Sequence, residues 1–472
     1  MASRYAQMPR RVLNVDWAKD AGPLDMRYHS MGIGGISSLP PSAKIVDKMA
    51  LLKPRFIRIF LQEYFYIYPK HGVYDWSRLD PYMDAVHAMG GDIMASICIK
   101  PKVLYPELDE SIWMPNDVTE WQELIRALVL RYSKEKPYVT HWAIANEQNI
   151  GELGGCPYLI EDPDDYFKYY KLTAAPIREA LPGIKVGGPS NASGAGNSLY
   201  DDGTADYLAR FVELCKLHNE PVDFVCYNRY SDDPATHAFI GRRVRNALDK
   251  HNPDVKLYMT EFNNALIINS NPSLEEDAFD PARPASLAAS ILAFHEDGCL
   301  DGSFEYHIYD QNNDPNEFAP WYSRVRYMAE HWNDIPHRLG LFDLDGKARP
   351  LYCMYHMLYE MIGKRIIMSG TDHILRGIAS INQDRTMSMF LTNFSVEGSY
   401  DSVTQFKFKN TEKGMYRVIV TRIDRETATH MKMNSIDMIE PVENRLVYAY
   451  PDFHFDVFTP ADSVTLIQLV KQ

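Results

Sequence analysis

Thr140-His141-Trp142-Ala143-Ile144-Ala145-Asn146-Glu147 is a short apolar run that ends on a carboxylic acid, and the same syntax returns in Lys256-Leu257-Tyr258-Met259-Thr260-Glu261. Runs of this length read as buried strands. Six more join them, at Tyr28–Ile33, Phe56–Phe60, Asp92–Ile99, Lys185–Gly188, Asp223–Tyr227 and Gly302–Ile308. Longer helix-like stretches lie between, at Ser42–Leu52, Trp76–Met89, Val118–Ser133, Pro163–Ala180, Thr204–Leu217, Ala235–Lys250, Ala282–Asp297 and Leu351–Ile362. Alternation of this kind builds a parallel sheet covered by helices. Eight units close into a barrel, whereas five or six would leave an open doubly wound sheet. The fold class expected is therefore α/β, a (β/α)8 TIM barrel over residues 17–365.

After about Gly363 the apolar residues alternate instead, in Arg376–Ile381, Met387–Asn393, Gln405–Lys409, Tyr416–Ile423, Arg445–Tyr450 and Ser463–Val470. A period of two with turn residues between runs predicts a C-terminal antiparallel β-sandwich over residues 366–472. Arg10–Asp16, within residues 1–16, is a further strand for it.

A chain of 472 residues has room for one large and one small domain. Its net charge of −14 repels phosphate backbones and anionic lipid, so no nucleic-acid or membrane partner is expected. The 12% aromatic content supplies stacking surfaces as well as core. The six scattered cysteines, without a C-x-x-C pair, read as reduced and structural. No glycine-rich dinucleotide or P-loop fingerprint occurs, no candidate element carries His-x-x-x-His, and no Asp-rich loop matches an EF-hand, so neither cofactor nor metal is expected. The acidic run Glu161-Asp162-Pro163-Asp164-Asp165 reads as charge favoured at a helix start. Met1 to Arg11 has no apolar leader segment and no apolar stretch is long enough to span a bilayer. The location expected is cytoplasmic, although a chain whose leader had been removed would read alike. Subunit number is left open, a homo-oligomer included.

Strand C-termini on a barrel deliver reactive side chains to one mouth. Glu147 and Glu261 end the fourth and seventh strand candidates, and a carboxylic acid facing a carboxylate is the minimal apparatus for cleaving a glycosidic bond. Taken singly, Glu147 reads equally well as a helix N-cap partner and Glu261 as a strand-end ion pair, but matched positions favour the catalytic reading. Asn146-Glu147 is one of three Asn-Glu pairs; Asn219-Glu220 and Asn316-Glu317 fall in polar loops and read as solvated. Arg58, mid-strand between Ile57 and Ile59, needs a carboxylate if buried, and Glu261 is the natural partner, with a barrel-floor ion pair as the alternative.

The chain resembles glycoside hydrolases of the clan that places an acid/base after Asn on strand 4 and a nucleophile on strand 7, and within it family 39, which includes β-xylosidases and α-L-iduronidases. The matching pieces are Tyr28-His29-Ser30-Met31-Gly32-Ile33-Gly34, Ile57-Arg58-Ile59-Phe60, Gly72-Val73-Tyr74-Asp75-Trp76-Ser77-Arg78-Leu79-Asp80, Ala145-Asn146-Glu147, Thr260-Glu261-Phe262 and Gly340-Leu341-Phe342-Asp343 through Arg349-Pro350. The resemblance implies a retaining exo-glycosidase, β-xylosidase-like or a related β-glycosidase, acting on an oligosaccharide or glycoside with Glu147 as acid/base and Glu261 as nucleophile. An endo-acting hydrolase or transglycosylase on the same site is the alternative, and a non-catalytic carbohydrate-binding barrel the rival of another class.

Around that pair, Asn146 is available to the sugar 2-hydroxyl and Tyr230 to Glu261. His29 and Lys100, taken to end strands 1 and 3, are candidates for hydroxyls or a substrate carboxylate. Where the family habit is a Trp on strand 8, this chain has Tyr306 and His307, which leaves the choice of sugar open.

Overall fold

The structure, a computed structural model, describes residues 7–35, 37–195, 203–264, 278–311, 314–324 and 339–472. Eight parallel strands close into a barrel in chain order. With β1 (Arg10–Asp25) set aside for the other sheet, they are β2 (His29–Gly32), β3 (Phe56–Leu61), β4 (Asp92–Ile97), β5 (Val139–Ile144), β6 (Lys185–Ala195), β7 (Phe224–Tyr230), β8 (Lys256–Asn263) and β9 (Gly302–Tyr306). The longer helices around them are α1 (Ala43–Leu52), α2 (Leu79–Ala88), α3 (Val118–Val129), α4 (Pro163–Ala180), α5 (Thr204–Leu217), α6 (Pro234–Leu248), α7 (Ala282–Asp297) and α8 (Pro350–Tyr359).

Strand alternation sorts the side chains into two shells. On β3, Ile57, Ile59 and Leu61 join the large core between barrel and helices, while Phe56, Arg58 and Phe60 point into the lumen. The floor of the lumen is apolar, formed by Phe56, Met94, Ala143, Phe224, Cys226, Tyr258 and Phe304. Near the mouth a second apolar layer holds Phe60, Cys98, Tyr230 and Tyr306. A polar network between them carries the candidate site. Every residue of β3 is buried, which explains its unbroken apolar reading around one arginine.

The other strands are β10 (Ile362–Ser369), β11 (Leu375–Asn382), β12 (Met387–Asn393), β13 (Ser402–Lys409), β14 (Gly414–Ile423), β15 (Glu443–Ala449), β16 (Phe453–Thr459) and β17 (Ser463–Lys471). They form one nine-stranded sheet in the order β15-β14-β17-β12-β11-β10-β1-β13-β16. It is antiparallel except where β1 runs parallel to β13. The expected N-terminal strand is thus present, but it reaches Asp25 and lies inside the sheet rather than at its edge. The sheet accordingly takes residues 17–25 and 362–365 that the sequence reading had assigned to the barrel. β10, β16 and the helix Arg425–Asn434 were not foreseen.

Alternate residues of this sheet serve different cores. Ala379, Met389, Leu391 and Ile467 build the sheet's own interior, whereas Ile378, Phe390 and Leu466 join the barrel core. Thr392 Oγ1 donates to the Ala285 carbonyl of α7 at 2.9 Å, and Tyr359 at the end of α8 donates to the His29 carbonyl at 2.9 Å. No helix among the described residues is long and apolar enough to cross a membrane.

Candidate active site

Two backbone devices turn the site's side chains inward. Ala145 and Glu147, at φ 70° and 49°, are left-handed non-glycine residues on either side of Asn146. Such conformations are costly and persist where surrounding contacts impose them. Here Ala145 N donates to the Ile97 carbonyl at 3.1 Å and Glu147 N to the Ser190 carbonyl at 2.7 Å. On β8 the register against β7 slips, from Tyr227 opposite Met259 to Asn228 opposite Glu261. This bulge lets two successive side chains, Thr260 and Glu261, reach the lumen network.

Arg58, fully buried, organises that network. Nη1 donates to Glu261 Oε1 at 2.8 Å and to the Thr260 carbonyl at 3.1 Å, and Nη2 donates to Asn146 Oδ1 at 2.6 Å. The guanidinium lies 4.3 Å from the centroid of the Phe60 ring. Tyr230 donates its phenol proton to Glu261 Oε2 at 2.8 Å, so both oxygens of Glu261 are engaged by donors. Glu147 has a different environment. Its Oε1 accepts from Asn228 Nδ2 at 3.0 Å, and the same amide donates to Asn146 Oδ1 at 3.1 Å. Asn228 is held by the Thr260 hydroxyl at 2.9 Å, and Thr260 in turn meets Ser190 Oγ at 2.6 Å.

Electrostatics acts on Glu147. Burial first, and the negative charge of Glu261 second, push Glu147 up to about 8 against the opposing pull of Asn228 and Arg58. Tyr230 and Tyr306 are raised by burial and by the same carboxylate, which keeps both phenols protonated.

The remaining sequence candidates divide. Tyr306 stands on the lumen wall, its ring edge-on to Tyr230 with centroids 6.3 Å apart. His29 and Lys100 need correction. His29 begins β2 instead of ending it; its Nδ1 meets Ser303 Oγ at 2.9 Å and its ring stacks on Phe294 of α7, so it faces the helices and not the mouth. Burial holds it near 3, hence neutral. Lys100 lies beyond β4, but its ammonium donates to the carbonyls of Asp109 at 2.6 Å and Pro157 at 3.1 Å, tying two loops together rather than presenting a cation to substrate. His307 packs directly against Tyr306, ring edge to ring face with centroids 4.7 Å apart, and the charges bearing on its buried ring are Asp310, Arg349 and Arg283.

The profile described as Glycosyl hydrolases family 39 matches residues 57–442. The chain belongs to that family. A beta-xylosidase of Caldicellulosiruptor saccharolyticus is 25% identical over 342 residues, covering 67% of this chain and 62% of that protein. One from Geobacillus stearothermophilus is 27% identical over 121 residues, covering 25% of this chain and 21% of that protein. The family 39 chain thus spans less than two thirds of the length of these relatives. Among solved structures, a monomeric beta-xylosidase from Caulobacter crescentus superposes with a TM-score of 0.74 at 18% identity, over 98% of this chain and 99% of that one. A family 39 enzyme from Xanthomonas axonopodis gives 0.73 at 18% identity, over 100% and 99%. These two likenesses concern the fold.

Sequence reasoning missed four contributors to this family 39 site, namely Asn228, Ser190, Thr260 and Phe60. Asn228 stands two residues before Tyr230 on the same strand, so strand periodicity was a sufficient signal for it. Ser190 had none, because its strand candidate stopped at Gly188. Among the described residues no cluster of three or more His, Cys, Asp or Glu is arranged to hold a metal, and the six cysteines are buried and unbridged.

Proposed function

We propose that this protein is a retaining, exo-acting β-xylosidase-like glycosidase in which Glu147 is the acid/base and Glu261 the nucleophile. The observation that carries this reading is the contrast between the two carboxyls. A carboxyl kept protonated beside a second carboxyl held by donors supplies an acid and a nucleophile. Glu261 accepts from a buried guanidinium and a phenol, which hold both of its oxygens in place. Glu147, pushed up to about 8, is protonated at neutral pH.

In the first step the Glu147 carboxyl gives its proton to the glycosidic oxygen while Glu261 attacks the anomeric carbon, forming a glycosyl ester and releasing the alcohol. The negative charge of Glu261 then disappears, Glu147 becomes more acidic, and as a carboxylate it takes a proton from the water that displaces Glu261. Arg58 and Tyr230 orient the nucleophile, and Asn146, fixed by Arg58 and Asn228, is available to the sugar 2-hydroxyl. The β-xyloside as substrate class is supported by the two beta-xylosidase relatives and by family membership.

A panel of aryl glycosides tests the reading, with the β-xyloside expected to turn over fastest. Glu147→Ala should retain the first step for a dinitrophenyl glycoside, and azide should restore turnover; Glu261→Ala should abolish retaining turnover on every substrate. A crystal structure should show the two carboxyl groups about 5–5.5 Å apart, whereas an inverting pair stands about 6.5–9.5 Å apart. The alkaline limb of kcat/KM should fall near pH 8, where free Glu147 loses its proton.

A further inference from the structure

The segment directly after Glu147 is Gln148-Asn149-Ile150-Gly151-Glu152-Leu153-Gly154-Gly155-Cys156, with three glycines in five residues. It folds back at once, Ile150 N and Gly151 N donating to the Glu147 carbonyl at 3.0 and 3.1 Å. Gly154 then lies directly on the Glu147 side chain: a Cβ there would stand 2.6 Å from Glu147 Cβ, so only glycine fits.

Glu152 is two residues from that contact, almost wholly buried, and anchors the turn to the segment beyond β9. Oε1 accepts from Ser323 N at 2.9 Å, and Oε2 accepts from Ser323 Oγ at 2.7 Å and Arg324 N at 2.8 Å. Glu110 completes the junction, accepting from Glu152 N at 2.8 Å and pairing with Arg324 Nη2 at 3.0 Å. Tyr322 and Gln62 both donate to the Gly155 carbonyl at 3.0 Å, and Lys100 reaches Pro157.

We propose that Glu152 is a positioning residue for the acid/base Glu147, fastening across the mouth the turn whose Gly154 shields that carboxyl from water. The inference rests on the catalytic reading above and deepens it. Glu152 acts through the backbone, since the charges bearing on Glu147 are those of Glu261 on β8 and Arg58 on β3, with the neutral Tyr230 on β7 and Tyr306 on β9 beside the pair. The groups around Glu152 itself are Glu110, Arg324, Lys100 and Tyr322. Loosening the turn admits water to Glu147 and lowers its proton affinity, because burial is the largest cause of the elevation.

The test compares wild type, Glu152→Gln and Ser323→Ala in the full chain. Ser323→Ala keeps the Glu152 charge and alters an exposed turn, so it reports on the anchor even where Glu152→Gln does not fold. Each protein is assayed across pH on a dinitrophenyl and an alkyl xyloside. The expected result is an alkaline limb shifted down by about one pH unit in each folded variant. The alkyl substrate, which needs its leaving group protonated, should lose about tenfold more kcat/KM than the dinitrophenyl one. An unmoved limb with equal loss on both substrates would overturn the proposal. Wild type inactive on every glycoside would instead sink the catalytic reading beneath it.

Discussion

At the scale of single residues, Glu147 couples the stability of the fold to pH. Its folded pKa of about 8 lies well above the ordinary carboxyl value, so the fold favours the proton. The stabilisation linked to that proton is fully present below the unfolded value, about 4.3, and is lost as pH rises through about 8. Glu147→Gln, permanently neutral, should escape this loss. Thermal unfolding should show the variant's Tm advantage over wild type growing between about pH 4.5 and 8 and levelling beyond; a constant difference would contradict the raised pKa. Arg58 is the other residue with a sharp expectation. Its two nitrogens engage Glu261 and Asn146 at once, a fork that a single ammonium does not reproduce. Arg58→Lys should lower kcat/KM by about a hundredfold through misorientation of Glu261, the proposed nucleophile, while retaining the charge. A near-wild-type rate would reduce Arg58 to a barrel-floor ion pair.

At the scale of elements, the bulge on β8 and the turn after β5 decide what enters the lumen. Thr260 and Glu261 are consecutive, yet the Thr260 hydroxyl reaches Ser190 and Asn228 while Glu261 reaches Arg58 and Tyr230. Thr260→Val keeps the shape and removes the hydroxyl. Asn228 Oδ1 then loses its 2.9 Å donor and keeps only the Ser190 hydroxyl at 3.5 Å, and under-satisfying a buried polar partner in this way costs about 1–3 kcal/mol. Chemical denaturation should show that loss with an unchanged m-value, and the alkaline limb should shift because Asn228 also donates to Glu147. No part of the bulge was legible locally. A bulge exists only relative to the register of the neighbouring strand, and Thr260-Glu261 reads the same with or without it.

At the scale of the whole molecule, barrel and nine-stranded sheet share a core. Phe390 on β12 is wholly buried among barrel residues, although its neighbours Met389 and Leu391 belong to the sheet's interior. Phe390→Ala should therefore cost about 3–5 kcal/mol of unfolding free energy and lower Tm. Because the site lies on the lumen side of the strands, kcat/KM of the folded variant and its pH profile should stay as in wild type. A single transition in calorimetry would show the two parts unfolding together, and two separate transitions would contradict the shared core.

What the sequence determined by itself was what its periodicities encode. Eight buried runs separated by amphipathic stretches specify a barrel, since short βα units must bury both sheet faces, and Glu147 and Glu261 stand out as candidates because strand ends on such a barrel converge. Arg58 was legible for the same local reason, a lone charge inside a continuous apolar strand. Tertiary structure alone decided which way each strand end faces and what meets it there. His29 and Lys100 looked like rim residues in one dimension; in three, His29 turns to α7 and Lys100 ties two loops. The β1 strand, far from its partners in sequence, sits between β10 and β13 because sheet pairing is satisfied by any strand of matching register, whatever its distance along the chain.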